Sequence, residues 1–277
     1  MIHVRRRPPP DGRLELTSTH EHHHRSITLC RMIREVFDAS SPSPDASGPA
    51  AAATVSLVDH SESESDPGPH LRAFAVAGPR SRADRLVPDP YAVEWADVGL
   101  PDVRAACARL EDAGRLRPWK NDCAFWIGNL TTHPTRASLV EMAARSGGRL
   151  DARAIDWCGN AIPPALAPGR VTLEDHADFR YLVDVQGVGY SARIKYLMHS
   201  GRPLLVADRR HWDWATVDAV PWTHYVPVAE DLGDLLEKIA WLDAHPDEAA
   251  AIAAAALTFV RAKMAPEAMR AAMAKLF

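Results

Sequence analysis

The segment from Tyr181 to Met198 constrains this chain more than any other. Tyr181-Leu182-Val183-Asp184-Val185 is an apolar run that reads as a buried strand. Gly187 and Gly189 punctuate a turn, and Tyr190, Ile194, Leu197 and Met198 then recur at helical spacing. Strand, glycine turn and helix make half of a βαβ unit, in which the turn aims backbone N–H groups above the sheet edge. Ser191 and Arg193 fall in the expected first helical turn, where a hydroxyl and a guanidinium add to an anion site. The G-x-G-x-x-G spacing of a dinucleotide fingerprint is absent. A second buried strand, Pro203 to Asp208, completes a short βαβ crossover.

Other elements alternate in the same way. Met1 to Asp11 is basic, then proline-rich, and reads as loose; Arg13 to Ala39 has helical character. Ala53 to Asp59 and Leu71 to Ala77 read as strands, separated by an acidic, Ser-rich loop from Ser61 to Pro69. Leu100 to Gly114 predicts a helix with Pro101 near its start and Gly114 at its end. Then follow strand Ala124–Ile127, helix Pro134–Arg145 and strand Ala152–Cys158. A long amphipathic helix is expected from Asp231 to Leu242, and the tail from Pro246 to Phe277 reads as two Ala-rich helices split at Pro266. Strands alternating with helices argue a parallel α/β architecture.

At 277 residues the chain has material for about two domains. Its 47% hydrophobic and 25% charged content is that of a soluble globular protein. The net charge of −4 argues against nucleic-acid binding through a general basic surface, and Arg5-Arg6-Arg7 reads as a solvated terminus. No apolar run approaches the about 20 residues of a membrane span, and no signal-peptide core is evident, so a cytoplasmic location is expected. Cys30, Cys107, Cys123 and Cys158 are scattered, which suits buried thiols in a reduced compartment. The run His20-Glu21-His22-His23-His24 contains H-E-x-x-H formally. Its positions cannot all converge on one ion from a regular helix and it lacks an evident third ligand, so a zinc hydrolase is only a minor reading and no metal site is assigned.

The order strand, Gly187-Val188-Gly189-Tyr190-Ser191-Ala192-Arg193-Ile194-Lys195-Tyr196-Leu197-Met198, strand, Pro221-Trp222-Thr223-His224-Tyr225-Val226-Pro227-Val228, amphipathic helix resembles the C-terminal half of glycosyltransferase family 90. That family holds capsule-associated sugar transferases and protein O-glucosyl- or O-xylosyltransferases. The likeness continues upstream in Pro118-Trp119-Lys120 and in Phe125-Trp126-Ile127-Gly128-Asn129-Leu130-Thr131-Thr132 with Arg136, and is strong over roughly residues 118–264. It implies a GT-B-like α/β fold of two Rossmann-like domains facing across a cleft. Residues 1–117 would form the acceptor-side domain and 118–277 the nucleotide-sugar domain. The activity implied is inverting, metal-independent transfer of glucose or xylose from a UDP-sugar to a glycan or glycolipid hydroxyl in polysaccharide biosynthesis, with no cofactor beyond the donor. A protein hydroxyl is the alternative acceptor, and a non-catalytic nucleotide-sugar or glycan-binding protein is the reading from a different class.

Such a transfer needs charge neutralised on the leaving diphosphate and a proton removed from the acceptor. The resemblance gives the first task to Arg193, helped by Ser191 and the turn at Val188, Gly189 and Tyr190, and then to Arg136. Ile127 stands where relatives carry the arginine of a Trp-Arg-Gly triplet, so one charge contact is missing or supplied elsewhere. Gly128, Asn129, Thr131 and Thr132 form a polar turn suited to ribose or phosphate, or are a plain turn. Trp222 and His224 match the family's Pro-Trp-x-His-Tyr, and either bind donor or simply pack. Trp212 and Trp214 could stack on a base or sit in the core, and Lys195 reads as solvated or structural. For the base, Val55-Ser56-Leu57-Val58 runs into Asp59-His60-Ser61-Glu62. Glu62 takes the place of the relatives' aspartate and Asp59 that of their asparagine; Glu64 and Asp66 lie in the same acidic loop.

Overall fold

The computed structural model describes residues 1–6, 14–18, 24–39, 52–56, 72–155 and 169–277. In chain order the first elements are strand β1 (Ile2–Arg6), β2 (Leu14–Ser18), helix α1 (His24–Ala39), β3 (Ala52–Ser56), β4 (Arg72–Ala75) and β5 (Ala77–Gly78). Next come α2 (Val103–Leu116), β6 (Asn121–Gly128), α3 (Pro134–Arg145), β7 (Leu150–Ala154), β8 (Phe179–Asp184) and α4 (Ile194–Leu197). The last are β9 (Leu204–Ala207), β10 (Trp212–Asp213), β11 (Val226–Val228), α5 (Leu235–Ala244), α6 (Pro246–Lys263) and α7 (Pro266–Met273). Among the described residues no single helix is long and apolar enough to cross a membrane.

The elements group into two compact units. One holds Met1–Ala92, His211–Val217 and Lys263–Phe277; the other holds Val93–Arg210 and Asp218–Ala262. The division is therefore discontinuous where the sequence suggests a cut at 117/118. Helix α2 belongs with the second unit, and the C-terminal helix α7 with the first.

In the first unit a four-stranded sheet runs in the order β2-β1-β3-β4, antiparallel except for β3 and β4. This corrects two expectations. The N-terminus is not loose, because Ile2 and Val4 alternate with polar neighbours and both side chains are buried in the sheet. Leu14–Ser18 is a strand paired to β1 rather than the start of the helix, which begins only at His24. Phe37 of α1 meets Phe277 edge-on at 5.3 Å. Trp212 and Trp214 are core residues here: β10 pairs with β5, and the Arg80 guanidinium lies 4.0 Å over the Trp212 ring.

The second unit is built on a fully parallel sheet in the order β11-β9-β8-β6-β7. Apolar alternation gives it two buried faces, as a parallel sheet requires. Ala124, Trp126, Tyr181, Val183, Leu205, Ala207, Val226 and Val228 share one core with Leu139 of α3, Leu235, Ile239 and Leu242 of α5, and Ile252 of α6. Phe125, Leu182, Leu204 and Val206, one step out of phase, are equally buried. Helix α2, capped by the Asp102 side chain, packs on the turns Glu174–Asp178 and Met198–Ser200. Gly114 permits that approach, since a Cβ there would lie 1.9 Å from the Ser200 carbonyl oxygen.

The strand order fixes where a ligand crevice opens. From β6 the chain leaves through α3 towards β7; from the adjacent β8 it leaves through α4 towards β9 on the other side. The two connections diverge from neighbouring strand ends, which is the topological switch point of an open α/β sheet.

Candidate functional site

Charged side chains gather at that point. Asp184, the last residue of β8, is fully buried. Its carboxylate accepts from Ser191 Oγ at 2.8 Å and from Arg209 Nη1 at 2.6 Å, and Arg193 Nε lies 3.8 Å away. Arg209 follows β9 and anchors itself on the Ala207 and Asp184 carbonyls at 3.1 and 3.0 Å. Arg193 donates from Nη1 to the Ile127 carbonyl at the end of β6. Its Nε is buried and has no hydrogen-bond partner among the described residues.

Arg136 reaches in from the first turn of α3, which Pro134 and the His133 cap begin. Its Nε donates to the Gln186 carbonyl and its Nη1 to the Asn129 carbonyl, both at 2.9 Å. It thereby ties the loop after β6 to the loop after β8. Asn129 closes its own turn by accepting from the Thr131 amide at 2.8 Å and hydroxyl at 2.7 Å. Beneath the two arginines lies the Trp126 ring, 5.6 Å from the Arg136 guanidinium carbon and 5.8 Å from that of Arg193. Both contacts are of the cation–π kind. Gly128 is required by that ring, because a Cβ would meet Trp126 Cζ2 at 2.6 Å.

Two guanidiniums, those of Arg193 and Arg209, thus pair with one carboxylate, and the third, Arg136, feels its charge without touching it. Burial brings the Arg136 pKa down to about 10, with the charges of Arg193 and Arg209 adding to the effect and Asp184 opposing it. Burial likewise lowers that of Arg193, against the pull of Asp184. His133 is pushed down by burial and by the Arg136 charge, with Glu230 opposing, which keeps it neutral near pH 7. Its Nδ1 accepts from the Thr135 amide at 3.3 Å, and its Nε2 lies 2.9 Å from the Gln186 side-chain nitrogen. An anion placed here would relieve the repulsion among the arginines, and Arg–phosphate geometry is bidentate.

A family model, "Glycosyl transferase family 90", matches residues 54–277. The chain belongs to that family. It is 29% identical over 156 residues to Protein O-glucosyltransferase 2 of Danio rerio, covering 55% of this chain and 31% of that protein. It is also 29% identical over 150 residues to Protein O-glucosyltransferase 1 of Homo sapiens, covering 52% and 38%. The chain thus matches about a third of the length of these curated relatives. Among solved structures it is similar to TarM (TM-score 0.39, 14% identity, 58% of this chain and 36% of that one). It is similar too to Anabaena Alr3699/HepE in complex with UDP (TM-score 0.36, 16% identity, 61% and 43%).

The structure brings together much of what the family motifs suggest, with changes. Arg136, Ser191, Arg193, Gly128 and Asn129 meet at the switch point. The segment from Val188 to Arg193 is not the start of a helix: α4 spans only Ile194–Leu197, and Ser191 turns back to Asp184 instead. Tyr190 is buried, Gly189 is buried, and Val188 is exposed. Gly187 is closely approached, a Cβ there lying 3.3 Å from the Tyr190 carbonyl oxygen and 3.6 Å from Arg136 Nη2. Lys195, read as solvated or structural, is fully buried.

Trp222 and His224 are not at this site. They precede β11, whose direction matches β9, so they lie at the opposite edge of the sheet. Trp222 meets Trp241 near the end of α5, and the His224 ring stacks on Phe259 at 4.5 Å. Asp59, Glu62, Glu64 and Asp66 lie outside the described residues, as do Cys158 and His20 to His23. Asp184, Arg209 and His133 are site residues that motif reading misses. The signal for the first two is a charge ending an apolar strand, at Val183-Asp184 and at Ala207-Asp208-Arg209.

Proposed function

We propose that this chain is an inverting, metal-independent glycosyltransferase of GT-B-like layout that takes glucose or xylose from a UDP-sugar. The single observation behind this reading is the set of Arg136, Arg193 and Arg209 around Asp184 at the switch point. A diphosphate leaving group gathers negative charge as its bond to the anomeric carbon breaks. Guanidiniums already fixed by backbone carbonyls offer that charge a preorganised partner, in the role a divalent cation fills elsewhere. Ile127 in place of the family arginine fits this economy, with Arg209 as a third guanidinium. The acceptor oxygen attacks the anomeric carbon from the opposite side, its proton passes to a carboxylate, and UDP departs. Glu62, with Asp59 as the alternative, is the carboxylate we assign.

The acceptor we favour is a glycan or glycolipid hydroxyl. The names of the curated relatives favour a second reading, a protein hydroxyl. One assay separates these: incubation with UDP-glucose and UDP-xylose in EDTA, reading UDP release with oligosaccharide, with glycolipid or with folded protein acceptors. Acceptor-dependent release in EDTA supports the proposal. Release only after manganese or magnesium is restored removes the metal-free part, and UDP-sugar binding without release leaves a binding protein.

A further inference from the structure

We infer that Trp222 and the aromatic ladder beside it form a saccharide-binding platform on the edge of the sheet opposite the arginine site. The inference goes beyond the UDP-sugar reading and does not depend on it. Trp222 has φ 60, a left-handed conformation that a bulky side chain rarely adopts. The turn enforcing it is over-determined. The Trp222 amide donates to the Tyr225 carbonyl at 2.7 Å and the His224 amide to the Val220 carbonyl at 2.9 Å, while His224 Nδ1 accepts from the Val220 amide at 2.9 Å. Such strain persists where the surroundings hold a residue in place, and it clusters at ligand sites. Burial does not compensate it here, since Trp222 stays 44% exposed.

The surroundings of the ring indicate what it meets. Trp241 approaches at 4.9 Å edge-to-face, His245 stacks on Trp241 at 4.4 Å, and Lys238 Nζ lies 5.2 Å from the Trp222 ring centre, paired with Asp234 at 3.5 Å. Asp234 and His245, which cap α5, and Lys238 and Trp241 within it are spaced i, i+4, i+7 and i+11, so rings and hydrogen-bonding groups are interleaved. A protein partner would need roughly 800 Å² a side with an apolar centre. Val220 is the nearby residue in sequence that adds a large exposed apolar side chain. One indole bordered by an ammonium, a carboxylate and an imidazole instead matches a pyranose ring, apolar on its C–H face and hydroxylated at its rim. Trp119, 41% exposed, precedes β6 on the same edge, and β6 lies three interstrand spacings, about 14 Å, from β11. The ligand class is therefore an oligosaccharide rather than a single sugar.

The test is ¹⁵N-indole NMR of the full chain titrated with maltohexaose, xylohexaose and an oligogalacturonate. For at least one of them, the Trp222 and Trp241 indole signals should move. Trp222→Gly, which adopts φ 60 without strain and so keeps the turn, should weaken that binding at least 10-fold, and Trp222→Tyr should restore most of it. Arg193→Ala should leave it unchanged, which separates this site from the donor site. Signals unmoved by all three probes, or moved equally in Trp222→Gly, overturn the inference. Shifts that instead follow protein concentration without sugar also overturn it, and assign the ladder to contact between copies of the chain.

Discussion

The two edges of the five-stranded parallel sheet are built from opposite chemistry. At the carboxyl ends of β6, β8 and β9, charge is sheltered: Asp184 is fully buried and three arginines are tied to backbone carbonyls around it. At the amino ends, aromatic rings are left partly in solvent, with Trp222 and Trp119 44% and 41% exposed. Here the ion pairs are peripheral. Asp243 takes the Tyr181 hydroxyl at 2.9 Å, Arg149 at 2.6 Å and Arg180 at 3.1 Å. Residues from one family motif region can serve different edges, because a residue before a parallel strand and a residue after it are separated by the strand's whole length. For the six residues of β8 that is about 20 Å.

The largest effect that could break this contrast is expected at Asp184. Asp184→Asn leaves Arg193 and Arg209 without their carboxylate, and orphaning a buried charge costs about 3–5 kcal/mol. Urea unfolding should show a loss in that range, partly recovered by UDP. An unchanged midpoint would mean that the charge cluster is not sheltered at all.

Acid should act next. His176 is buried edge-on to Phe125 at 5.2 Å. Burial, aided by the Arg193 charge, takes its pKa down to about 4 from 6.5. The unfolded chain therefore binds this proton more readily, so stability is full above pH 6.5 and falls as the pH drops towards 4. The loss from this one group is about 3 kcal/mol. Unfolding curves at pH 7 and pH 4.5 should differ less in His176→Asn than in the native sequence; equal acid losses would contradict the assignment.

Gly114→Ala probes the packing that holds the sheet between its edges. Alanine normally favours a helix interior, yet here its methyl group would overlap the Ser200 backbone carbonyl. The expected sign is therefore destabilising, by about 1–3 kcal/mol, read as a lower denaturation midpoint. The smallest effect belongs to the peripheral edge. Tyr181→Phe keeps the ring and loses one hydrogen bond to Asp243, about 1 kcal/mol. UDP affinity should not change, and a calorimetric shift would show that the two edges are coupled.

Much of this was legible in the sequence. Helix α3 begins at Pro134 and ends at Arg145 as its pattern predicts, and the apolar runs of β6, β8 and β9 are where they read. Family motifs located Arg136, Ser191 and Arg193. Three things were hidden, each for a physical reason. The helix expected from Tyr190 shrinks because Ser191 bonds to Asp184, a partner seven residues back. Leu14–Ser18 pairs with β1, a tertiary contact that overrides helical character. Arg209 joins the site only because β9 lies beside β8, which no local pattern states.

The arginine cluster beside Asp184 is the proposed seat of a nucleotide diphosphate. Isothermal titration of UDP into the native chain and into Arg193→Ala, each confirmed folded by its thermal transition, tests this directly. Losing a charge-assisted contact should weaken binding by about 2 kcal/mol, roughly 30-fold. Equal UDP affinity in the two proteins, or no binding by the native chain, would mean that the arginine cluster is not the diphosphate seat.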